Sequence, residues 1–169
     1  MTQHYIIMGI CGCGKTTVAE ALQQQLHCPF AEGDVFHTQA NRDKMGAGIP
    51  LNDDDRRPWL ERLRDWMSEQ AQHGARHTIV TCSALKRSYR DILRQAQGEV
   101  HFVHLSPPIA ANRARMESRQ GHYMKAGMIQ SQLDTLQPLA AGEQGVVITS
   151  AGAPDEVMAD VMRYVNAQQ

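Results

Sequence analysis

The chain has 169 residues, 42% of them hydrophobic, which is the length and core content of one domain. Its 17 basic and 18 acidic residues nearly cancel, so no overall positive field favours nucleic acid or an anionic membrane as a partner. No apolar run approaches the roughly 20 residues that span a bilayer, and the N-terminus lacks the pattern of a secretory signal. Four cysteines are too few for a disulfide scaffold of this size. We therefore expect a cytoplasmic protein with reduced thiols.

Short apolar runs alternate with helix-period segments, which predicts an α/β fold: a five-stranded parallel sheet with helices on both faces. The predicted strands are residues 5–8, 29–32, 77–82, 100–105 and 145–149. The predicted helices are residues 15–26, 84–97, 109–119 and 154–165, with a further helix beginning near Pro58. In the last helix, an apolar stripe typical of a core-facing surface is formed by Val157, Met158, Val161, Met162 and Val165.

Two stretches interrupt this alternation, and long insertions between sheet elements often carry functional sites. Residues 35–58 contain two glycines, two prolines and a run of acids followed by arginines. We expect an acceptor-binding helical insertion over about residues 35–75 and a short polar lid over about residues 119–128. Residues 1–169 are expected to form a single domain.

The strongest motif is Gly9–Thr16, which satisfies G-x-x-x-x-G-K-[ST] directly after an apolar strand and at the start of a helix. Such a loop turns backbone N–H groups towards phosphate, and the helix N-terminus adds partial positive charge. Lys15 is predicted to bridge the β- and γ-phosphates, and the Thr16 hydroxyl to bind Mg²⁺. The predicted ATP-binding residues of this segment are Gly9, Ile10, Cys11, Gly12, Cys13, Gly14, Lys15, Thr16 and Thr17. Cys11 and Cys13 are interpreted as small residues that suit a phosphate loop, with oxidation sensitivity as the alternative.

The acceptor side is predicted from polar residues near the carboxyl ends of strands. Asp34 is the candidate to accept a hydroxyl proton or to order a Mg²⁺-bound water, with capping of the next helix as the alternative. His37 is a candidate for a hydrogen bond to a polyol, or is simply solvated. Asp53 to Asp55 are expected to cap a helix, which leaves Arg56 and Arg57 to hold an anion.

Further candidates follow the third strand and the later helix. Ser83 and Lys86 are possible contacts to substrate or phosphate. Arg115 and Arg119 are spaced i, i+4, as would suit a transferring phosphoryl group, although surface arginines share that spacing. His122, in the expected lid, could contact substrate or base.

These residues resemble the bacterial gluconate kinases, small members of the nucleoside-monophosphate-kinase-like group of phosphate-loop enzymes. The resemblance covers nearly the whole chain. Beyond the phosphate loop it depends on residues 32–34 with His37, Asn41 with 44–45 and Gly48, 50–56 with 58–60, 82–86 with 89–91, and 121–123. The chain departs from the family in having Cys11 and Cys13 where relatives often have Ser, and Gln137 where Glu is common.

The resemblance implies an adenylate- or shikimate-kinase-like fold and a cytoplasmic homodimer that phosphorylates D-gluconate at its 6-hydroxyl with ATP and Mg²⁺. It implies catalytic roles for Lys15, Asp34 and Arg119, with Arg115 and Arg119 also on ATP. The substrate residues it implies are Asp34, His37, Lys44, Arg56, Ser83, Lys86 and His122. The residues alone leave two alternatives open: a kinase acting on shikimate or another sugar acid, and a nucleotide-dependent switch that acts through a partner protein.

Overall fold

The computed structural model describes residues 1–118, 127–150 and 154–169, with residues 113, 115–118, 127 and 128 described by their backbone only. The strands are β1 (Gln3–Met8), β2 (Phe30–Glu32), β3 (His77–Thr81), β4 (Glu99–Leu105) and β5 (Gly145–Ile148). The helices are α1 (Lys15–Leu26), α2 (Gln39–Gly46), α3 (Asp53–Gln72), α4 (Arg87–Leu93), α5 (Ile109–Ser118), α6 (Gly127–Thr135) and α7 (Pro154–Ala167).

The five strands are parallel and lie in the order β2-β3-β1-β4-β5, which confirms the predicted sheet. The central strand β1 pairs with β3 on one side and β4 on the other, so that Ile6 is level with Val80 and Phe102. The strand order changes direction beside β1, and in open parallel sheets ligands bind outside the carboxyl ends of the strands at such a point. The segment that follows β1 is the predicted phosphate loop.

Side chains alternate between the two faces of the sheet, and helices cover both faces. Tyr5 and Ile7 of β1 pack in the cluster that includes α1 and α7, whereas Ile6 and Met8 pack with residues of α3 and α4. The predicted stripe of α7 is confirmed as a core surface, because Val161 and Val165 are fully buried and its other members pack beside them. Two continuous cores therefore hold the carboxyl edge of the sheet in place.

Helix α3 begins at Asp53, so the prediction that it begins near Pro58 is wrong. Asn52 is the N-cap: its side chain accepts a hydrogen bond from the Asp55 N–H, and the Asp55 carboxylate accepts one from the Asn52 N–H. This reciprocal capping box stabilises the first turn strongly enough to tolerate a proline in the second turn, where one helical hydrogen bond is lost. Asp53 to Asp55 form the first turn, where negative charge is favourable.

Helix α2 lies within the insertion that was expected to be helical, helix α6 lies where no helix was predicted, and α4 is shorter than expected. Helix α2 and the first turns of α3 form the insertion after β2. This insertion lies close to β3 because Gly33 has no side chain: a Cβ there would be 2.1 Å from the carbonyl oxygen of Thr81. No described helix is both long and apolar enough to cross a membrane.

Candidate active site

The phosphate loop connects β1 to α1 through backbone conformations that glycine favours. Gly9, Gly12 and Gly14 have φ values of 144°, 77° and 94°. A Cβ at Gly9 would lie 2.6 Å from the Leu105 carbonyl oxygen, so the loop lies directly against the end of β4. Larger residues at Gly9 would push the loop out of this position.

The start of α1 leaves backbone donors available for an anion. No side chain caps the helix at Gly14, and the first N–H groups of a helix have no partner within the helix. Lys15 Nζ donates to the carbonyl oxygens of Gly9 at 2.9 Å and Ile10 at 3.2 Å, so the ammonium group lies over the loop. Thr16 and Thr17 are exposed in the first turn. This is the arrangement that binding of a nucleotide phosphate requires.

A cavity of about 650 Å³ lies between the insertion, the end of β3 and helix α6. Its lining residue Ser83 adjoins the phosphate loop, because the Ser83 carbonyl oxygen accepts a hydrogen bond from the Gly9 N–H at 3.3 Å. The cavity brings together four of the predicted substrate residues, namely Asp34, His37, Arg56 and Ser83. The other lining residues are Val35, Arg42, Met45, Gly48, Ile49, Pro50, Leu51, Trp59, Leu85, Tyr89, Ser131, Gln132 and Thr135. The cavity therefore combines charged and hydroxyl groups with an apolar wall, which suits a small polar molecule. Another cavity, of about 430 Å³, lies near the amino ends of β1 and β3, away from the phosphate loop.

Asp34 lies in a 3₁₀ turn, Gly33–Phe36, immediately after β2. The alternative that it caps the next helix is wrong, because Thr38 caps α2 by accepting a hydrogen bond from the Asn41 N–H. The Asp34 carboxylate is exposed and has no hydrogen bond or salt bridge to any described residue. The turn is anchored by Trp59, whose indole N–H donates to the Gly33 carbonyl oxygen at 2.7 Å. Asp34 is thus a carboxylate on a fixed turn at the cavity, unpaired within the part of the chain that the structure describes.

Arg56 lies at one end of a polar network that joins α3 to α4. Its guanidinium donates to the Tyr89 hydroxyl at 3.0 Å, and that hydroxyl donates to Asp53 at 2.6 Å. Neither Arg56 nor Arg42 forms a salt bridge with a described residue. Arg42 instead donates to the backbone carbonyls of Val35 and His37. The cavity therefore contains two guanidinium groups that are not held in a salt bridge within the described part of the chain.

The two predicted substrate lysines form salt bridges within the insertion and its neighbour α4. Lys44 Nζ lies 2.9 Å from Asp55, and Lys86 Nζ lies 2.9 Å from Asp53. The first contact holds α2 to the start of α3, and the second holds α4 to the same turn. Neither lysine lines the cavity. Their roles in substrate binding stay predictions.

Several lining residues were missed by sequence reasoning, among them Gln132 and Arg42. Gln132 of α6 lines the cavity, and its Oε1 accepts a hydrogen bond from the Cys11 N–H at 2.5 Å, so one side chain joins the cavity to the phosphate loop. No sequence signal indicated it, because α6 itself was not predicted. Arg42 also lines the cavity, and a signal existed: it is a cation in the same insertion as His37.

The loop after β3 is fixed by the most deeply buried ion pair of the described chain. Arg90 donates to both carboxylate oxygens of Glu143, at 2.6 and 3.0 Å, and also to the Ala84 carbonyl oxygen at 2.8 Å. Burial opposes ionisation of Glu143, but hydrogen bonds from Arg90, the Ala140 N–H and Arg94 outweigh it and lower its pKa to about 2. Ala84 has φ +48°, a conformation that this hydrogen bond supports. Ser83 reaches the cavity from this loop.

Gln137, which stands where the gluconate kinases commonly have Glu, contacts the start of α4. Its Oε1 accepts a hydrogen bond from the Arg87 N–H at 2.7 Å, and its own N–H donates to the Leu85 carbonyl oxygen at 2.7 Å. A carboxamide oxygen meets the first N–H group of α4 as a carboxylate oxygen would, because both are acceptors.

Three predicted site residues have side chains outside the described part of the chain. The backbone of Arg115 lies in α5, but its side chain is outside the described residues, as are the whole of Arg119 and His122. Within residues 1–118, 127–150 and 154–169, no cluster of three or more His, Cys, Asp or Glu side chains is arranged to hold a metal ion.

Comparison with known proteins shows close relatives. Residues 5–139 match a family model described as an AAA domain. A gluconokinase from Gluconobacter oxydans is 42% identical over 165 residues, covering 96% of this chain and 91% of its own.

Solved structures show the same architecture. An unliganded sugar kinase from Janibacter is 42% identical with a TM-score of 0.91, covering 98% of this chain and 95% of its own. A gluconokinase from Sinorhizobium meliloti is 36% identical with a TM-score of 0.86, covering 98% and 93%. Shikimate kinase from Aquifex aeolicus, 16% identical with a TM-score of 0.57, shares the fold alone, covering 98% and 97%. The predicted fold class is confirmed.

Proposed function

Because the chain belongs to the gluconokinase family, we propose that it transfers the γ-phosphoryl group of ATP to the 6-hydroxyl of D-gluconate, giving 6-phosphogluconate and ADP. The observation that carries the proposal is the cavity next to the phosphate loop, which brings together the Asp34 carboxylate and the Arg42 and Arg56 guanidinium groups, none of them in a salt bridge with another described residue. Gluconate is a polyol with one carboxylate, so its two ends require these two kinds of group.

In the reaction, the oxygen of the 6-hydroxyl forms a bond to the γ-phosphorus as the bond from that phosphorus to the β,γ-bridging oxygen breaks. Asp34 orients the hydroxyl and takes its proton, and the bridging oxygen leaves with ADP. Lys15 and the N–H groups at the start of α1 stabilise the charge on the phosphates. Arg115 and Arg119 are proposed to complete this positive surround, with residues 119–128 acting as the lid.

Thr16 is the proposed magnesium residue. Its side chain is exposed in the first turn of α1 and makes no hydrogen bond to the described residues, so its hydroxyl oxygen is free to act as a hard ligand. Magnesium, when bound, supplies positive charge to the phosphate oxygens.

The carboxylate of gluconate is proposed to bind Arg56, with Arg42 beside it. An arginine offers paired donors that match two carboxylate oxygens. The Tyr89 hydroxyl fixes the Arg56 guanidinium from the other side, which reduces the side-chain freedom lost when substrate binds. Specificity for a sugar acid over a neutral sugar alcohol follows from this charge.

The test of the reaction is ADP release by purified protein with Mg²⁺ and ATP, with no acceptor, D-gluconate, other aldonates or shikimate at equal concentrations. Strong stimulation by gluconate supports the proposal. Stimulation by another acceptor alone would identify that acceptor, and not gluconate, as the substrate. Binding of ATP with no stimulated release would refute the kinase assignment and favour a nucleotide-dependent switch.

A matched pair of variants tests whether Arg56 binds the carboxylate of the substrate. Arg56→Met should raise KM for gluconate by roughly ten- to a hundredfold, the value of a charge-assisted hydrogen bond. Arg57→Met is the control, because Arg57 is the next residue, is exposed and does not line the cavity. Activity on D-glucitol, which lacks the carboxylate, should be low in the unmodified enzyme and unaffected by Arg56→Met. Equal effects of the two substitutions on KM would exclude Arg56 as the carboxylate residue.

The proposal extends to domain organisation, cellular location and oligomeric state. We place residues 1–169 in one kinase domain, and the use of ATP supports the cytoplasm as the site of the reaction. A homodimer is proposed from the family resemblance, and light scattering of the purified protein tests it.

A further inference from the structure

The imidazole of His37 is held between two elements of the insertion. It is 7% exposed and stacks on Trp59 of α3, with ring centres 4.2 Å apart and planes inclined by 17°. Its Nδ1 lies 3.2 Å from Nδ2 of Asn41 in α2, and Asn41 is only 2% exposed. The ring is therefore fixed in plane by the indole and in rotation by the carboxamide.

The orientation of the Asn41 carboxamide follows from its second contact. The same Nδ2 lies 2.8 Å from the backbone carbonyl oxygen of Asp55, which can only accept a hydrogen bond. Turning the amide over would place Oδ1 against that carbonyl oxygen, oxygen against oxygen. Asn41 therefore donates from its amino group to both partners.

This direction fixes the proton on His37. Because Nδ1 accepts from Asn41, the neutral ring carries its proton on Nε2. A proton on Nδ1 would place two N–H donors against each other, one from His37 and one from Asn41. Nε2 has no hydrogen-bond partner among the described residues and is not sealed from solvent, so its N–H is open to the cavity that His37 lines.

The surrounding charges favour the same neutral ring. Burial lowers the pKa of His37, Asp34 opposes this effect, and Arg56 and Arg42 reinforce it. These three groups face His37 from the 3₁₀ turn, α3 and α2 respectively.

We propose that Asn41 is a positioning residue that holds His37 as the Nε2–H tautomer, so that His37 donates a hydrogen bond to a hydroxyl oxygen of the acceptor. The identity of that acceptor rests on the proposed function. The arrangement separates two tasks within the cavity. The arginines supply the charge that a carboxylate needs, while His37 supplies a neutral donor that selects a hydroxyl.

The tautomer is tested without nucleotide or sugar, by nitrogen NMR of protein labelled with ¹⁵N-histidine. The His37 signals are identified by their loss in His37→Gln. At pH 7 and above, Nδ1 should have the shift of an unprotonated ring nitrogen and Nε2 that of a protonated one. A proton on Nδ1 at pH 7 would overturn the proposal whatever the reaction is.

Kinetics test whether the tautomer serves substrate binding. Asn41→Asp places an acceptor beside Nδ1, so it should allow Nδ1 to carry a proton, make the ring titrate nearer neutral pH and raise KM for gluconate about three- to tenfold below that pH, with KM for ATP unchanged. His37→Gln keeps an NH₂ donor whose orientation does not depend on protonation, so whatever change it makes to KM for gluconate should not vary between pH 6 and pH 8.

The double variant separates positioning from a structural role. In the His37→Gln background, Asn41→Asp should add no pH dependence to kcat/KM. An equal loss in both backgrounds would show that Asn41 acts only on folding, and urea unfolding of each variant measures that contribution. Failure of gluconate to stimulate ADP release in the unmodified protein would refute the proposed function while leaving the NMR result intact.

Discussion

Replacing Glu143 by Gln removes the charge that neutralises Arg90 in the interior. The lowering of the Glu143 pKa from its ordinary 4.5 to about 2 corresponds to about 3 kcal/mol of stability at neutral pH, at about 1.4 kcal/mol per pH unit. No large discount for solvent applies, because the side chains of Arg90 and Glu143 are 0% and 1% exposed. Loss of one partner of a buried pair costs roughly 3–5 kcal/mol in general, which agrees.

The assay is urea unfolding followed by the fluorescence of Trp59 and Trp66. Asp91→Asn is the control: Asp91 forms a salt bridge with Arg94 in the same helical segment but its side chain is 59% exposed, so its loss should cost less than about 1 kcal/mol. A Glu143→Gln variant within 1 kcal/mol of the unmodified protein at pH 7 would refute the reasoning.

The pH dependence provides an independent check. A carboxyl whose pKa is lowered on folding stabilises fully above its unfolded pKa, and this stabilisation is lost as the pH falls from about 4.5 towards 2. The difference between the unmodified protein and Glu143→Gln should therefore already be smaller by about 0.8 kcal/mol at pH 4. A difference that is constant between pH 7 and pH 4 would assign the loss to packing instead of charge.

Three further predictions concern the loop, the cavity and the buried histidines. Lys15→Ala should slow turnover by roughly a thousandfold or more while leaving the urea midpoint within error, and near-normal turnover would contradict its role. Gln132→Leu should raise KM for both substrates more than Gln132→Glu, which keeps the acceptor for the phosphate loop; steady-state kinetics should separate the two variants. Burial lowers the pKa values of His4, His101 and His104. As the pH falls, these histidines therefore bind protons in the unfolded chain before they do so in the folded one. The free energy of unfolding should decrease below pH 6.5, by up to about 1.4 kcal/mol per pH unit for each histidine. Urea midpoints that do not change between pH 7.5 and pH 5.5 would contradict this expectation.

The sheet and the phosphate loop were predictable because each depends on local pattern. Apolar runs and a glycine-rich turn before Lys15 identify β1, the loop and α1 without reference to the rest of the chain. Helix α3 was misplaced because Pro58 resembles a first-turn proline, whereas the capping box at Asn52 and Asp55 determines the actual start.

The missed features depend on partners distant in sequence. Helix α6 is short and begins with Gly127, and its Ile129 is buried in a cluster with Ile10 and Leu85 from other parts of the chain. Arg90 is a charged residue in a short helix, and the carboxylate that balances its charge in the interior, Glu143, lies 53 residues later in the chain. Composition and periodicity do not contain such pairings.

The hydrogen bond between Gln132 and the Cys11 N–H has a thermodynamic consequence. One carboxamide contacts the phosphate loop and lines the cavity that we propose for the acceptor, so a ligand that moves either element alters the other. Linkage then requires reciprocity: whatever factor ATP applies to the affinity for the sugar acid, the sugar acid applies to the affinity for ATP. Loss of this contact in Gln132→Leu should make the two ligands bind more independently, even where each still binds.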